Sequence, residues 1–408
     1  MRRILLSFLV ISIVLITGCW DWIDIEKRGY VLGLAIDDYE SISQEGSSSD
    51  QKEKGPEDKK KFEQMELHQG QPIYALTAQI PVIKNSSIIS SNSVGNGQGP
   101  ATWEITQAGN SFIGMNRQMQ SRTNLSLYYE HLQVIIISEN AARKGLENII
   151  DFFVRDPEMR RRVRIFISKG EAKKILQVKP FIDDHAALYI SSIPENARKS
   201  SRIIAKTDLG EVIKFVHGGY DFVLPMAEST ENEINASGGA IFKGDKMVGW
   251  VSEVELEAIK MMRNIYIGGV LTVAIPDTEN ATATLEITKS KCKIKPVIKN
   301  GQLSFDLTIN ITGNYAEEVN YHTHGQLNEE FLKKLQKAYE REVEMMCRRT
   351  MEKLQKEYEA DAIQLKKIVQ KEEPEFWKIN GKNWNEIYPA SEIRINANVN
   401  INLVGLKK

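Results

Sequence analysis

The stretch from Asn328 to about Lys371 contains neither glycine nor proline, and it constrains the fold more than any other part of the chain. Apolar residues step through it from Phe331, Leu335, Tyr339 and Val343 to Leu354, Leu365 and Val369. The mean step is about 3.8 residues, close to the helical 3.6 and drifting off a strict heptad. Glu and Lys fill the other faces and Pro374 ends the run. A helix with so long an apolar stripe needs a surface to cover. The drift favours a helix laid across a sheet over a coiled coil.

The sheet surface is legible on both sides of that helix. Phe305, Leu307, Ile309 and Ile311 alternate with Asp306, Thr308 and Asn310, and Ile393 to Leu403 alternates with Arg394 and four asparagines. Each strand has one apolar face and one polar face, as in a sheet wetted on one side. Ile265–Ile275 and Ala283–Ile294 are further expected strands, and Asn300-Gly301 is a hairpin turn signal. Trp377, Trp384 and Tyr388 form an aromatic connector between the helix and the last strand.

The first half reads differently. Tyr30–Ile36 and Tyr74–Val82 are expected strands. Between them, Ser41–Gly70 is too poor in large apolar residues to offset its ordering entropy, and is read as a disordered insertion. Asn85–Pro100 reads as a second polar loop. Gln133–Ile137 is a continuous apolar strand, followed by one helix over Glu139–Val154 that Asp156-Pro157 breaks. Val163–Ile167 is another strand, and Ser168 with Glu171 fits a capping box for the next helix. Asp208 with Glu211, and Ser252 with Glu255, mark two more helix starts flanking a hairpin over Ala240–Val251.

The chain begins with Arg2 and Arg3, then an apolar stretch over Ile4–Ile16. About thirteen residues at 1.5 Å each span near 20 Å, short of a ~30 Å hydrocarbon core. That is the size of a signal-peptide core, and residues 1–18 are read as one. Ile16-Thr17-Gly18-Cys19 looks like a lipobox, with Cys19 as the lipid attachment site; the alternative is a signal anchor with an incidental cysteine. Only three cysteines occur, Cys19, Cys292 and Cys347, so no disulfide framework dominates. With 53 basic against 54 acidic residues, the chain lacks the basic excess of a nucleic-acid binder, and no nucleic acid is expected as a partner. At 42% hydrophobic and 26% charged, it is no multispanning membrane protein, and 408 residues suggest two or three domains.

Catalytic patterns are missing from the sequence. No phosphate-binding GxxxxGKS, no GxGxxG after a strand and no HExxH occurs. Gly109-Asn-Ser111-Phe-Ile-Gly114 spaces its second glycine wrongly for a nucleophile elbow. His322 and His324 would point the same way on a strand edge, yet no third metal ligand accompanies them. The acidic pairs Asp37-Asp38 and Asp183-Asp184 are assigned to turns. No catalytic residue, cofactor or metal ligand is therefore assigned. One charge feature stands out: Arg155, Arg160, Arg161, Arg162 and Arg164 beside a helix end. It reads first as a solvated turn compensating the helix terminus, and second as a docking patch for anionic lipid headgroups or an acidic partner.

Cys19-Trp20-Asp21, then Glu26 and Val31-Leu-Gly-Leu-Ala-Ile-Asp37, resembles the N-terminus of the Ger(x)C spore germination lipoproteins. So do Gln133–Glu139 with Asp151–Asp156, Gly238–Lys243 with Met247–Trp250, and Pro374–Trp377 with Trp384–Pro389, all in the family's order. The chain departs from that pattern in the length of the 41–70 insertion and in Ala360–Gln364, where a glycine-containing stretch is expected.

The resemblance implies the C subunit of a nutrient germinant receptor, with diacylglycerol and a fatty acyl lipid on Cys19. It implies anchoring to the phospholipid bilayer on the extracytoplasmic face of the spore inner membrane, beside membrane-embedded A and B subunits. It also implies an α+β fold of three mixed α/β domains, read here as 19–200, 201–270 and 271–408. The last is an antiparallel-rich sheet packed around the long helix. Such a subunit is noncatalytic and acts through protein contacts. The alternative is a lipid-anchored extracytoplasmic solute-binding protein, which needs a repeated βα pattern around a cleft.

Overall fold

The computed structural model describes residues 24–40, 71–82, 101–205, 207–320 and 328–402. Four parallel strands form the middle of a nine-stranded sheet: Gly33–Asp38, Val134–Ser138, Arg164–Ser168 and Phe222–Ser229. Antiparallel strands flank them. Tyr74–Pro81 and Thr102–Gly109 lie on one side, and the Gly239–Lys243 and Lys246–Val251 hairpin on the other.

Helices on both faces explain why the central strands are unbroken apolar runs. Leu34, Ile36, Ile135 and Ile137 point into a core with the Phe112–Gln120, Glu147–Arg155 and Leu209–His217 helices. Ala35, Val134, Ile136 and Phe166 point the other way, onto the Ala172–Gln177 and Ala186–Ser192 helices. Strands from both sides of residue 200, the boundary expected between the first two domains, pair directly. Ile167 and Ser168 lie opposite Met226 and Ala227. The 41–70 and 85–100 segments lie outside the described residues.

Two local expectations in this half are corrected. The helix expected over Glu139–Val154 is two helices, Glu139–Lys144 and Glu147–Arg155, parted at Gly145 with φ 122°. A Cβ at Gly145 would sit 2.5 Å from Asp245 Oδ2, because the Asp245 turn packs there and its carbonyl accepts from Leu146 N. The capping box at Ser168 and Glu171 does not form. Ser168 Oγ instead donates to the Glu171 carbonyl, and Asp37 caps the helix by accepting from Ala172 N at 2.6 Å and Lys173 N at 3.0 Å. The other two caps form as expected, Asp208 on Glu211 N and the Ser252/Glu255 box.

The second sheet runs Gly269–Ala274, Thr282–Lys299, Gln302–Val319 and Glu392–Asn402. Its long hairpin turns at Asn300 and Gly301, both with positive φ, which suits a type I′ turn. The last strand pairs parallel to Gln302–Val319, so a crossover is required, and the helical segment supplies it. Leu335, Tyr339, Val343 and Cys347 on the Glu329–Glu352 helix pack with Phe305, Leu307, Ala397 and Val399 in one core. Glu340 and Glu344 reach past that core to accept from Val399 N and Ala397 N.

The long helix is not continuous. After Glu352 it loosens into a π-helical turn over Lys353–Glu357, breaks, and resumes at Leu365–Glu372. Glu359 and Gln364 have φ of 47° and 65°. The cause is Asp361, buried where a helix interior would leave its carboxylate without partners. It caps the second helix, accepting from Leu365 N at 2.8 Å and Lys366 N at 2.7 Å. The apolar stripe persists across the break because Ala360, Ala362 and Ile363 are buried too.

Candidate docking surfaces

The arginine cluster divides into two groups. Arg155 pairs with Asp151 one turn back, Arg160 with Glu130 at 3.0 Å, and Arg164 with Glu195 at 3.4 Å. These pairs lie at the surface, where solvent screens them, and they fit the solvated-turn reading. Arg161 and Arg162 are exposed and have no ion pair among the described residues. The Arg161 carbonyl accepts from Gly210 N, which fixes the backbone beneath its side chain.

A second polar assembly joins the edge hairpin of the first sheet to the C-terminal unit. Asp221 accepts from Gly244 N and Asp361 N, both at 2.8 Å, so one carboxylate ties the hairpin turn to the helix break. Burial pushes Asp361 up to about 7, although two backbone donors oppose the shift, and burial raises Asp221 as well. Lys366 Nζ donates to the Gly219 carbonyl, and Tyr220 Oη donates to Gln370. Around the corner, Tyr358 Oη and Lys353 Nζ both donate to the Trp250 carbonyl, and Lys353 also pairs with Glu255. Gly249 is required there: a Cβ would lie 2.5 Å from the Tyr358 ring.

A cavity of about 560 Å³ lies beside this junction, lined by Ile204, Phe215, Val223, Ile265, Glu211 and Arg263. Lys260 closes its floor. Its side chain is fully buried, and Nζ donates to the Ser201 and Ile203 carbonyls at 2.7 Å each. Burial lowers Lys260 to about 8, with the nearby Glu257 charge opposing. The cavity is lined by helix and loop residues with Val223 as its strand residue, not by two repeated βα lobes of the kind a solute-binding protein uses.

Cys19, His322 and His324 lie outside the described residues, and so does the metal reading of the histidine pair. Among the described residues no cluster of three metal-ligating side chains occurs. Cys292 and Cys347 are buried free thiols. Ser111 of the rejected nucleophile motif caps the Phe112–Gln120 helix through Gly114 N. Asp183 serves a turn, accepting from His185 N, but Asp37 sits in a central strand and serves a remote helix. Gln79 and Lys260 went unnoticed in the sequence. Their one signal is a long polar side chain inside an otherwise apolar run.

Comparison with known proteins places this architecture. The domain described as "Spore germination protein N-terminal domain" matches residues 21–229, and "Spore germination B3/ GerAC like, C-terminal" matches residues 237–405. Spore germination protein YndF of Bacillus subtilis (strain 168) is 28% identical, over 100% of this chain and 98% of that protein. Spore germination protein B3 of the same organism is 24% identical over 97% and 96%. Among solved structures, the crystal structure of the GerBC protein superposes with a TM-score of 0.57 at 22% identity. It covers 81% of this chain and 94% of that one, a likeness of fold. Matched in order by both of these domains, the chain belongs to the GerAC-like family of spore germination proteins.

Proposed function

We propose that this spore germination protein is a lipid-anchored, noncatalytic subunit of a nutrient germinant receptor. In this reading it sits on the outer face of the spore inner membrane and works through contacts with membrane-embedded A and B subunits. The observation that carries the proposal is the end-to-end match to a germination protein, with the N-terminal family domain beginning two residues after Cys19. No helix among the described residues is long and apolar enough to cross a membrane. Attachment would rest on diacylglycerol and acyl chains at Cys19, each buried CH₂ contributing about 0.8 kcal/mol, so two long chains suffice.

The proposal is tested by palmitate labelling of sporulating cells together with affinity capture of the chain from detergent-extracted spore inner membrane. Cys19→Ala should abolish the label, and the wild-type chain should bring down two integral membrane partners. Labelling that persists in the variant, or capture without membrane partners, refutes it.

A further inference from the structure

We infer that one end of the nine-stranded sheet is a bilayer-facing surface, with Phe181 and Ile182 entering the acyl-chain boundary and Arg161 and Arg162 meeting phospholipid phosphates. The inference deepens the lipid-anchored reading by stating which face of the protein the anchor brings down.

The strand register defines the end. Gly33, Val134 and Arg164 lie side by side as neighbouring parallel strands begin. The segment before Gly33 carries the chain in from Asp24, and Cys19 precedes Asp24 by five residues. Five residues reach at most about 18 Å, so a lipid on Cys19 stays within that distance of Asp24, and Arg28, which lies over the Tyr128 ring, holds this segment near the Glu130–Arg160 pair. The loop before Arg164 holds Arg161 and Arg162, so two exposed cations without an ion pair among the described residues lie at the same end.

The segment over residues 178–185 is brought there by Gln79. Gln79 lies opposite Gly33 in the sheet and is 1% exposed. Its Nε2 donates to the Leu176 carbonyl at 2.6 Å, and its Oε1 accepts from Ala187 N at 3.1 Å. One buried amide thus grips both feet of the loop. Gly33 makes room for them: a Cβ there would lie 2.7 Å from Ala187 Cβ and 2.8 Å from Leu176 Cδ2. On the loop so held, Phe181 and Ile182 are 87% and 85% exposed.

Single exposed apolar residues need no explanation. Two adjacent ones on a clamped loop, following Lys179 and Pro180, beside free arginines and the tether, form a pattern suited to a membrane interface. Of the acidic groups at this end, Glu130 pairs with Arg160 and Glu195 with Arg164, while on the loop Asp183 accepts from His185 N and Asp184 is exposed. Arg161, Arg162 and Lys179 outnumber the loop carboxylates Asp183 and Asp184, which suits contact with anionic lipid phosphates.

The test uses the full lipidated chain in vesicles of phosphatidylcholine and phosphatidylglycerol. Cys292 and Cys347 are buried, so Ile182→Cys carries an environment-sensitive fluorophore selectively. Ile379→Cys, on an exposed helix of the C-terminal unit, is the control. The label at 182 should shift to the blue and be quenched severalfold by brominated acyl chains, with no change at 379. Arg161→Glu with Arg162→Glu should remove the quenching while the chain still floats with the vesicles. A label at 182 that behaves like 379 on floating vesicles overturns the inference and leaves the anchor standing. Should the wild-type chain fail to float, the anchor fails, and the Cys19→Ala chain on phosphatidylglycerol vesicles decides: quenching at 182 upholds this face, its absence overturns it. Shielding at 182 only after membrane subunits are added, never by brominated lipid, also overturns it in favour of a protein-docking face.

Discussion

Gln79→Leu removes three hydrogen bonds while nearly preserving volume. Leu176 O loses a donor at 2.6 Å, Ala187 N loses an acceptor at 3.1 Å, and Glu104 loses a contact at 3.2 Å. Glu104 is partly solvated and recovers with water. The other two are buried backbone groups, and a stranded buried group costs about 1–3 kcal/mol. The Ala186–Ser192 helix has no side-chain cap of its own at His185, so nothing local replaces the lost acceptor. Their sum is about 2–6 kcal/mol, and leucine's added burial returns part of it, leaving about 3 kcal/mol. For a unit of this size that lowers Tm by about 6–12 °C. The assay is thermal unfolding followed by circular dichroism, with hydrogen exchange read on peptides spanning residues 172–192. Faster exchange should be concentrated there, since both feet of the loop are released. A Tm within about 2 °C of wild type with unchanged exchange would refute the clamp.

Leu354→Ala should cost about 2–5 kcal/mol in urea unfolding, because Leu354 is fully buried in the C-terminal core. Its neighbour Lys353 is not a neutral control: Nζ bonds Trp250 O and Glu255, so Lys353→Ala should cost about 1 kcal/mol, and a result at zero would show those contacts to be idle. Asp361 carries a pKa raised by burial to about 7 against an unfolded value near 3.8, so the folded state binds the extra proton and stability declines as pH rises from about 4 through 7. Asp361→Asn should lose that slope in denaturant titrations across the window, and an unchanged slope would assign it to another group. Replacing Ser41–Gly70 with a short Gly/Ser turn should leave Tm nearly unchanged, since Tyr39 N already bonds Ile73 O across the gap; unfolding of the variant would show that the segment packs.

Much of the fold was legible because the signals were local. Strict alternation over Ile393–Leu403 located the last strand, and Asn300-Gly301 its hairpin. The Ser252/Glu255 pair named a real capping box. What escaped the sequence depends on partners distant along the chain. Ser168/Glu171 has the same spacing as a working box, yet Asp37 fills the site from 135 positions away. Periodicity carried the helical stripe straight through Asp361, because residues 360–363 stay buried after the helix stops. Pairing sense was equally hidden: alternation marks a strand but cannot say that the last one runs parallel to its neighbour. The arginines were found by composition, and only the tertiary contacts showed which of them are paired.

The parallel seam between Gln302–Val319 and Glu392–Asn402 also sets a timetable. Paired residues along it stand 88 positions apart, as Asp306 and Arg394 do. At about 5–20 residues per second, a growing chain presents the Gln302–Val319 edge for roughly 4–18 s before its partner exists. An open, apolar-faced strand edge is a template for pairing with the wrong chain. Glu340 and Glu344 cannot guard it in that interval, because the amides they bond belong to the strand still to come. Until the last strand is made, that edge is the one the growing chain leaves open to a mispaired neighbour.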